Sequence, residues 1–186
     1  QPDTSDYDYD SPLDAAGRPT PKFYAMRDAI KKYLPNEKIP TVVENTRFIA
    51  IPEFELKGSA SLADALKFTK PVLSASPLTM ESLGQNYGFV LYRKKLDGDI
   101  NGKLEFKEQR DYSHVLINGN FVGKLDRRLK EQSIDITAKK GDVLDILVEN
   151  MGRINYGKEF MYDRKGITES VSFSGQDLKN WQIFSL

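Results

Sequence analysis

From Tyr87 to the end of the chain the apolar side chains recur at every second position, a period that suits antiparallel β-strands with one buried face and little else. Leu104 and Phe106 alternate with Glu105 and Lys107, and Ile134 and Ile136 with Asp135 and Thr137. Leu144, Ile146 and Val148 alternate with Asp145, Leu147 and Glu149, and Val171 and Phe173 flank a serine. Val115 and Ile117 lead into Asn118-Gly119, a dipeptide suited to the positive φ angles of a tight hairpin, and Phe121 to Leu125 lead away from it. About eight short strands separated by turn signals predict a mainly β fold, an antiparallel sandwich or jelly roll.

The residues before that pattern follow other periods. Positions 1–19 are acidic, aromatic and punctuated by proline and glycine, and predict an extended segment followed by a loop. Thr20 and Pro21 form a helix start, with a hydroxyl to cap free N–H groups and a proline where no amide bond is lost. Phe23, Met26, Ile30 and Leu34 then form one apolar stripe that Pro35 ends. Residues 39–80 predict a connector that packs along its neighbours, with a strand over Arg47 to Leu56 and a short helix over Ser61 to Phe68. The predicted organisation is therefore 1–38, 39–80 and a β-sandwich over 81–186.

Composition narrows the chemistry. Lys+Arg and Asp+Glu are both 27, so no net field gathers phosphates or anionic lipid, and neither nucleic acid nor membrane is an expected partner. The chain has no cysteine and one histidine, His114, which removes thiolate catalysis and multi-histidine metal sites; no metal and no cofactor is expected. No apolar run approaches the roughly 20 residues that cross a bilayer. The chain begins at Gln1 in mid-pattern, as a processed or excised segment does.

Several motifs, in order, resemble one family. Thr4-Ser5-Asp6-Tyr7-Asp8-Tyr9-Asp10-Ser11-Pro12-Leu13, then Ala16-Gly17 and the helix Pro21 to Leu34, resemble the closing strand, loop and helix of the (β/α)8 barrel of family 35 β-galactosidases. Tyr87-Gly88-Phe89-Val90-Leu91-Tyr92-Arg93 is similar to the first strand of that family's β-domain. The hairpin at Asn118-Gly119, with Gly123, Leu125 and Asp126-Arg127, resembles its next signature. The run Leu144 to Gly157 is the most specific, and Asp163, Lys165, Gly166 and Trp181 to Phe184 complete the order.

The resemblance implies a galactose-binding-domain-like sandwich, preceded by one strand and helix from the end of a catalytic barrel. It also implies a retaining exo-β-galactosidase acting on a galactoside, with one glutamate as acid/base and another as nucleophile about 5 to 5.5 Å apart. In the family both glutamates precede the last barrel strand, so they are expected upstream of Gln1 and no catalytic residue is expected within this chain. Partners are then the galactoside substrate, through the full-length parent, and the barrel of the same chain. Such enzymes commonly act on glycans outside the cytoplasm.

Each feature has a bland counterpart. Tyr9 matches the family tyrosine that faces galactose, where side chains at strand ends border a barrel's active site; otherwise Tyr7 and Tyr9 are packing residues of a barrel edge. Asp8 and Asp10 point to one face and suit structural hydrogen bonding better than catalysis. The loop Asn150 to Gly157 could hold an anion or a sugar, but tight glycine turns with Arg153 and Tyr156 bridging to neighbouring segments suit a brace. Trp181, between apolar neighbours, suits the core better than sugar stacking. His114 suits a polar edge position, and Gly84 and Gly88 lack phosphate-loop spacing.

Three functions follow. The chain is a non-catalytic accessory domain of a glycosidase, a carbohydrate-binding module beside one, or a protein-interaction domain with an exposed apolar patch. The helix stripe demands a surface, which the sandwich or another copy is expected to supply in place of the barrel.

Overall fold

The computed structural model describes residues 10–14, 16–42 and 49–186, in two compact units divided between Lys57 and Gly58. In the first, helix α1 (Pro21–Tyr33) starts where predicted, but the Thr20 hydroxyl caps no helical N–H. It donates instead to the carbonyls of Ser11 and Pro12, at 2.9 and 3.0 Å, and so ties the helix start to the preceding loop. No residue of α1 is buried, and Met26, Ile30 and Leu34 are about half exposed at 50%, 44% and 54%. Phe23, the fourth residue of the stripe, is half-buried. The expected strand over Arg47 to Leu56 is not formed at 49–56, where Ile49, Ile51, Phe54 and Leu56 are exposed. A strand needs a partner ladder, and Pro52 removes one of its donors. Residues 47 and 48 lie outside the described residues.

The second unit opens with helix α2 (Leu62–Leu66), shorter than predicted, whose cap Ser61 accepts from the Asp64 N–H at 3.2 Å. The strands follow in order: β1 (Val72–Ser74), β2 (Phe89–Lys95), β3 (Ile100–Phe106), β4 (Gln109–Arg110), β5 (Tyr112–Ile117) and β6 (Asn120–Asp126). Then come β7 (Ser133–Ala138), β8 (Val143–Glu149), β9 (Gly166–Ile167), β10 (Val171–Phe173), β11 (Gln176–Asp177) and β12 (Trp181–Ser185). They form a six-stranded sheet in the order β1-β12-β2-β8-β5-β6, a four-stranded sheet β11-β10-β3-β7 and a small pair β4-β9, every pairing antiparallel.

One core lies between the two larger sheets, which makes the unit the expected sandwich. Val90, Tyr92, Val115, Leu144, Ile146, Val148 and Ile183 face Leu104, Phe106, Ile136 and Val171, all at most 3% exposed. These are the positions the alternation marks, because successive side chains of a strand point to opposite faces. The turn between β5 and β6 is also as read: Asn118 and Gly119 have φ of 50° and 78°, the left-handed pair of a type I′ hairpin.

One departure comes from two-sided burial. On the far face of the six-stranded sheet Leu91 is 1% and Phe184 6% exposed, and Asp145 is 6% exposed. Asp145 accepts both Nε and Nη2 of Arg93 at 2.8 Å, and the two residues are register partners across β2 and β8. Leu62 and Leu66 of α2 line a cleft over this face with Leu91, Leu116 and Val143. The continuous apolar run Phe89-Val90-Leu91-Tyr92 carries that message, since a strand buried on both faces loses its alternation.

Candidate functional site

The most specific sequence motif, the segment that leaves β8, is held by a chain of charges. The Asn150 side chain donates to Asn86 O at 2.9 Å and accepts the Gly152 N–H at 3.0 Å, closing a small turn. Gly152 has φ of 108°, a conformation that side chains oppose, which explains a glycine there. Arg153 then donates through Nε to Asn86 O at 3.0 Å and through Nη1 to Glu81 Oε1 at 2.6 Å and Asp163 O at 3.2 Å. Two segments distant in sequence are thereby clamped against the loop.

The network continues inward. Glu81, on the 3-10 turn Glu81–Leu83, also accepts the Lys165 N–H at 3.2 Å. Lys165 is 2% exposed, and its ammonium donates to Asp111 Oδ2 at 2.7 Å and lies 3.3 Å from Asp163 Oδ2. Asp111 further accepts the Met151 N–H at 3.1 Å and Arg127 Nη1 at 3.0 Å, and Asp163 accepts the Ile154 N–H at 3.2 Å. Arg127, Lys165 and Arg153 thus balance Asp111, Asp163 and Glu81. A buried charge is tolerable only when it is paired and hydrogen-bonded, and each of these is.

Electrostatics agree with that reading. Burial pushes the Glu81 carboxyl up, but backbone N–H groups, the Arg153 guanidinium and the Lys165 N–H outweigh it and hold the group below its ordinary value. Burial raises the Tyr92 phenol well above its usual range, so it stays protonated, donating to Leu78 O at 2.6 Å and accepting the Ile167 N–H at 3.0 Å. The bonds of this cluster join the loop after β8 to Glu81 and to Asp163.

The other sequence candidates separate. Tyr9, Tyr7 and Asp8 lie outside the described residues. Asp10 accepts from Lys22 Nζ at 2.8 Å, a structural pairing. Arg153 bridges as read, whereas Tyr156 is 92% exposed, which corrects its bridging role. Trp181 is core: it is 1% exposed, and its indole N–H donates to Leu178 O at 3.0 Å. His114 is not at an edge; it pairs with Lys124 on one side and Leu147 on the other, and packs edge-on between Tyr112 and Phe121. Gly88 is required because a Cβ there would come within 2.7 Å of Leu186 O. Glu81 and Asp111 were missed, since neither falls in a recognisable motif and only contacts across the chain join them to Lys165.

Among the described residues no group of three or more His, Cys, Asp or Glu side chains is placed to hold a metal ion, and no helix is long and apolar enough to cross a membrane.

Known proteins agree with the fold. The chain is 40% identical over 188 residues to a β-galactosidase of Xanthomonas manihotis, all of this chain and 31% of that protein. It is 36% identical to β-galactosidases of Bos taurus and Homo sapiens, over 100% and 97% of this chain and 29% and 27% of theirs. The chain thus spans under a third of the length of the relatives it matches. Residues 77–186 match the family model described as β-galactosidase, first all-beta domain, and the chain belongs to that family.

Proposed function

We propose that this chain is a non-catalytic part of a β-galactosidase, a β-sandwich that braces the enzyme's catalytic barrel while hydrolysis is done by residues outside it. The observation that carries the reading is the network joining Glu81, Asp111, Arg153, Asp163 and Lys165, through which Arg153 of the most family-specific motif is tied to charged groups distant in sequence. Retaining hydrolysis needs a protonated acid beside an ionised nucleophile. Glu108 and Glu131, which share a cleft, are instead held by cations: Arg110 Nε lies 3.0 Å from Glu108 and Lys124 Nζ 3.2 Å from Glu131.

On this reading the parent removes terminal β-galactosyl residues, with residues 1–38 closing its barrel, 39–80 connecting and 81–186 forming the sandwich. Tyr9 contributes a sugar contact in the full-length enzyme, where Tyr9→Phe lowers turnover. The deciding experiment is an assay of the purified 186-residue chain with a chromogenic β-galactoside. Release of the chromophore above buffer would place catalytic groups within these residues and end the proposal. In the full-length enzyme, Lys165→Met should lower thermal stability and leave KM unchanged.

A further inference from the structure

The chain divides into its two compact units at the peptide bond between Lys57 and Gly58. Residues 49–60, on either side of that bond, form no helix or strand, and every one of them is exposed. Among the described residues none of their backbone N–H or carbonyl groups pairs with another backbone group. Backbone held by no neighbour is paired only with water, and an enzyme cleft that binds extended peptide can take it without first unfolding anything.

The side chains of this stretch select the class of enzyme. Lys57 is its only cation, and among the described residues the ammonium enters no ion pair. Gly58, Ser59 and Ala60 follow it, and a Cβ at Gly58 would meet nothing within 4 Å, so the far side of the bond is open as well. A free ammonium on extended backbone suits a serine protease with an acidic specificity pocket. Loop cations of the second unit are held by their own backbone. The Arg127 N–H donates to Asp111 O at 3.0 Å and that of Lys130 to Arg127 O at 3.0 Å. The N–H groups of Lys139 and Lys140 donate to Asp142 Oδ2 at 2.7 Å and Asp99 Oδ1 at 2.9 Å. A protease reaches such backbone only through openings that cost a large part of the unfolding free energy. Every described residue of the core lies between Met80 and Ile183, so a cut after Lys57 removes none of it.

We propose that the bond between Lys57 and Gly58 is a cleavage site for an endoprotease of lysine specificity, and that residues 58–186 survive the cut as a folded sandwich. Water adds across the amide as its C–N bond breaks: the hydroxyl goes to the Lys57 carbonyl carbon and the hydrogen to the Gly58 nitrogen. This modification site lies beyond the bracing role above and does not depend on it.

The test is limited digestion of the native 186-residue chain with trypsin, the products being read by intact mass and N-terminal sequencing. The expected result is accumulation of a fragment running from Gly58 to Leu186 that still unfolds cooperatively in urea, followed by the fluorescence of Trp181. Lys57→Gln should remove that fragment and leave the Trp181 transition of the intact chain unchanged, because the lysine side chain holds nothing. A dominant fragment that begins inside the second unit, at Phe68 or Glu159, overturns the proposal. So does loss of the whole chain without a stable product, a fragment from Gly58 with no cooperative transition, or an unchanged digestion pattern in Lys57→Gln. The galactoside assay and this digestion fail separately, since one reads turnover and the other reads a single peptide bond.

Discussion

Lys165 sets its ammonium 2.7 Å from Asp111 Oδ2, 54 residues away in sequence, with the lysine side chain 3% and the aspartate 11% exposed. At this depth the pair is worth far more than its surface counterparts once one member is lost, because the survivor keeps its desolvation penalty without compensation. Lys165→Met should therefore lower unfolding stability by about 3 kcal/mol or more. Urea unfolding followed by Trp181 fluorescence measures it, and a loss within the roughly 1 kcal/mol of a surface pair would contradict the assignment.

Gly166 stands beside that lysine with φ of 90°, and a Cβ there would fall on the Tyr92 hydroxyl. Tyr92 cannot yield, since it is fully buried and its hydroxyl bridges Leu78 and Ile167. Gly166→Ala combines left-handed strain with overpacking and should cost roughly 3 kcal/mol. Gly119→Ala, with φ of 78° but nothing within 4 Å of its Cβ, should cost less; the difference in denaturation midpoint isolates the steric part.

Acid should weaken the fold through specific carboxylates. Asp126 is held at about 2, chiefly by its hydrogen bonds from Arg128, against an ordinary 3.8, and Glu81 is also depressed. A depressed folded-state value means that the unfolded chain binds protons first. The contribution is whole above the ordinary carboxylate range and is lost as pH falls through the folded value. For Asp126 that window runs from about 4 down to about 2. Stability measured across it should fall for the wild type and fall less steeply for Asp126→Asn.

The hairpin turn provides a local test. Asn118 adopts φ of 50°, donates to Asp142 Oδ1 at 2.9 Å and accepts the Val143 N–H at 2.9 Å. Asn118→Ala removes both bonds and the residue's tolerance of that backbone, a loss of about 1 to 2 kcal/mol. Faster hydrogen exchange concentrated in β5 and β6 is the expected signature; uniform acceleration over the whole sandwich would show that the turn is not a local unit.

Much of this molecule was legible one residue at a time. Leu144, Ile146 and Val148 went to the core because a strand places alternate side chains on opposite faces, and Asn118-Gly119 turned because few other pairs tolerate positive φ at both positions. The stretch at 49–56 misled because apolar content signals a strand only if a ladder partner exists, and that is not written locally. His114 misled similarly: its own polarity suggested an edge, but its strand lies between β6 and β8.

Local geometry, periods and turn chemistry were therefore settled by the order of amino acids alone, because they depend on neighbours a few positions away. The joining of Glu81, Asp111, Arg153, Asp163 and Lys165 was decided only by tertiary structure. So was the meeting of Glu108 and Gln109 with residues 127–132 around one cleft. A charge reveals nothing of its partner until folding removes the water that would otherwise solvate both.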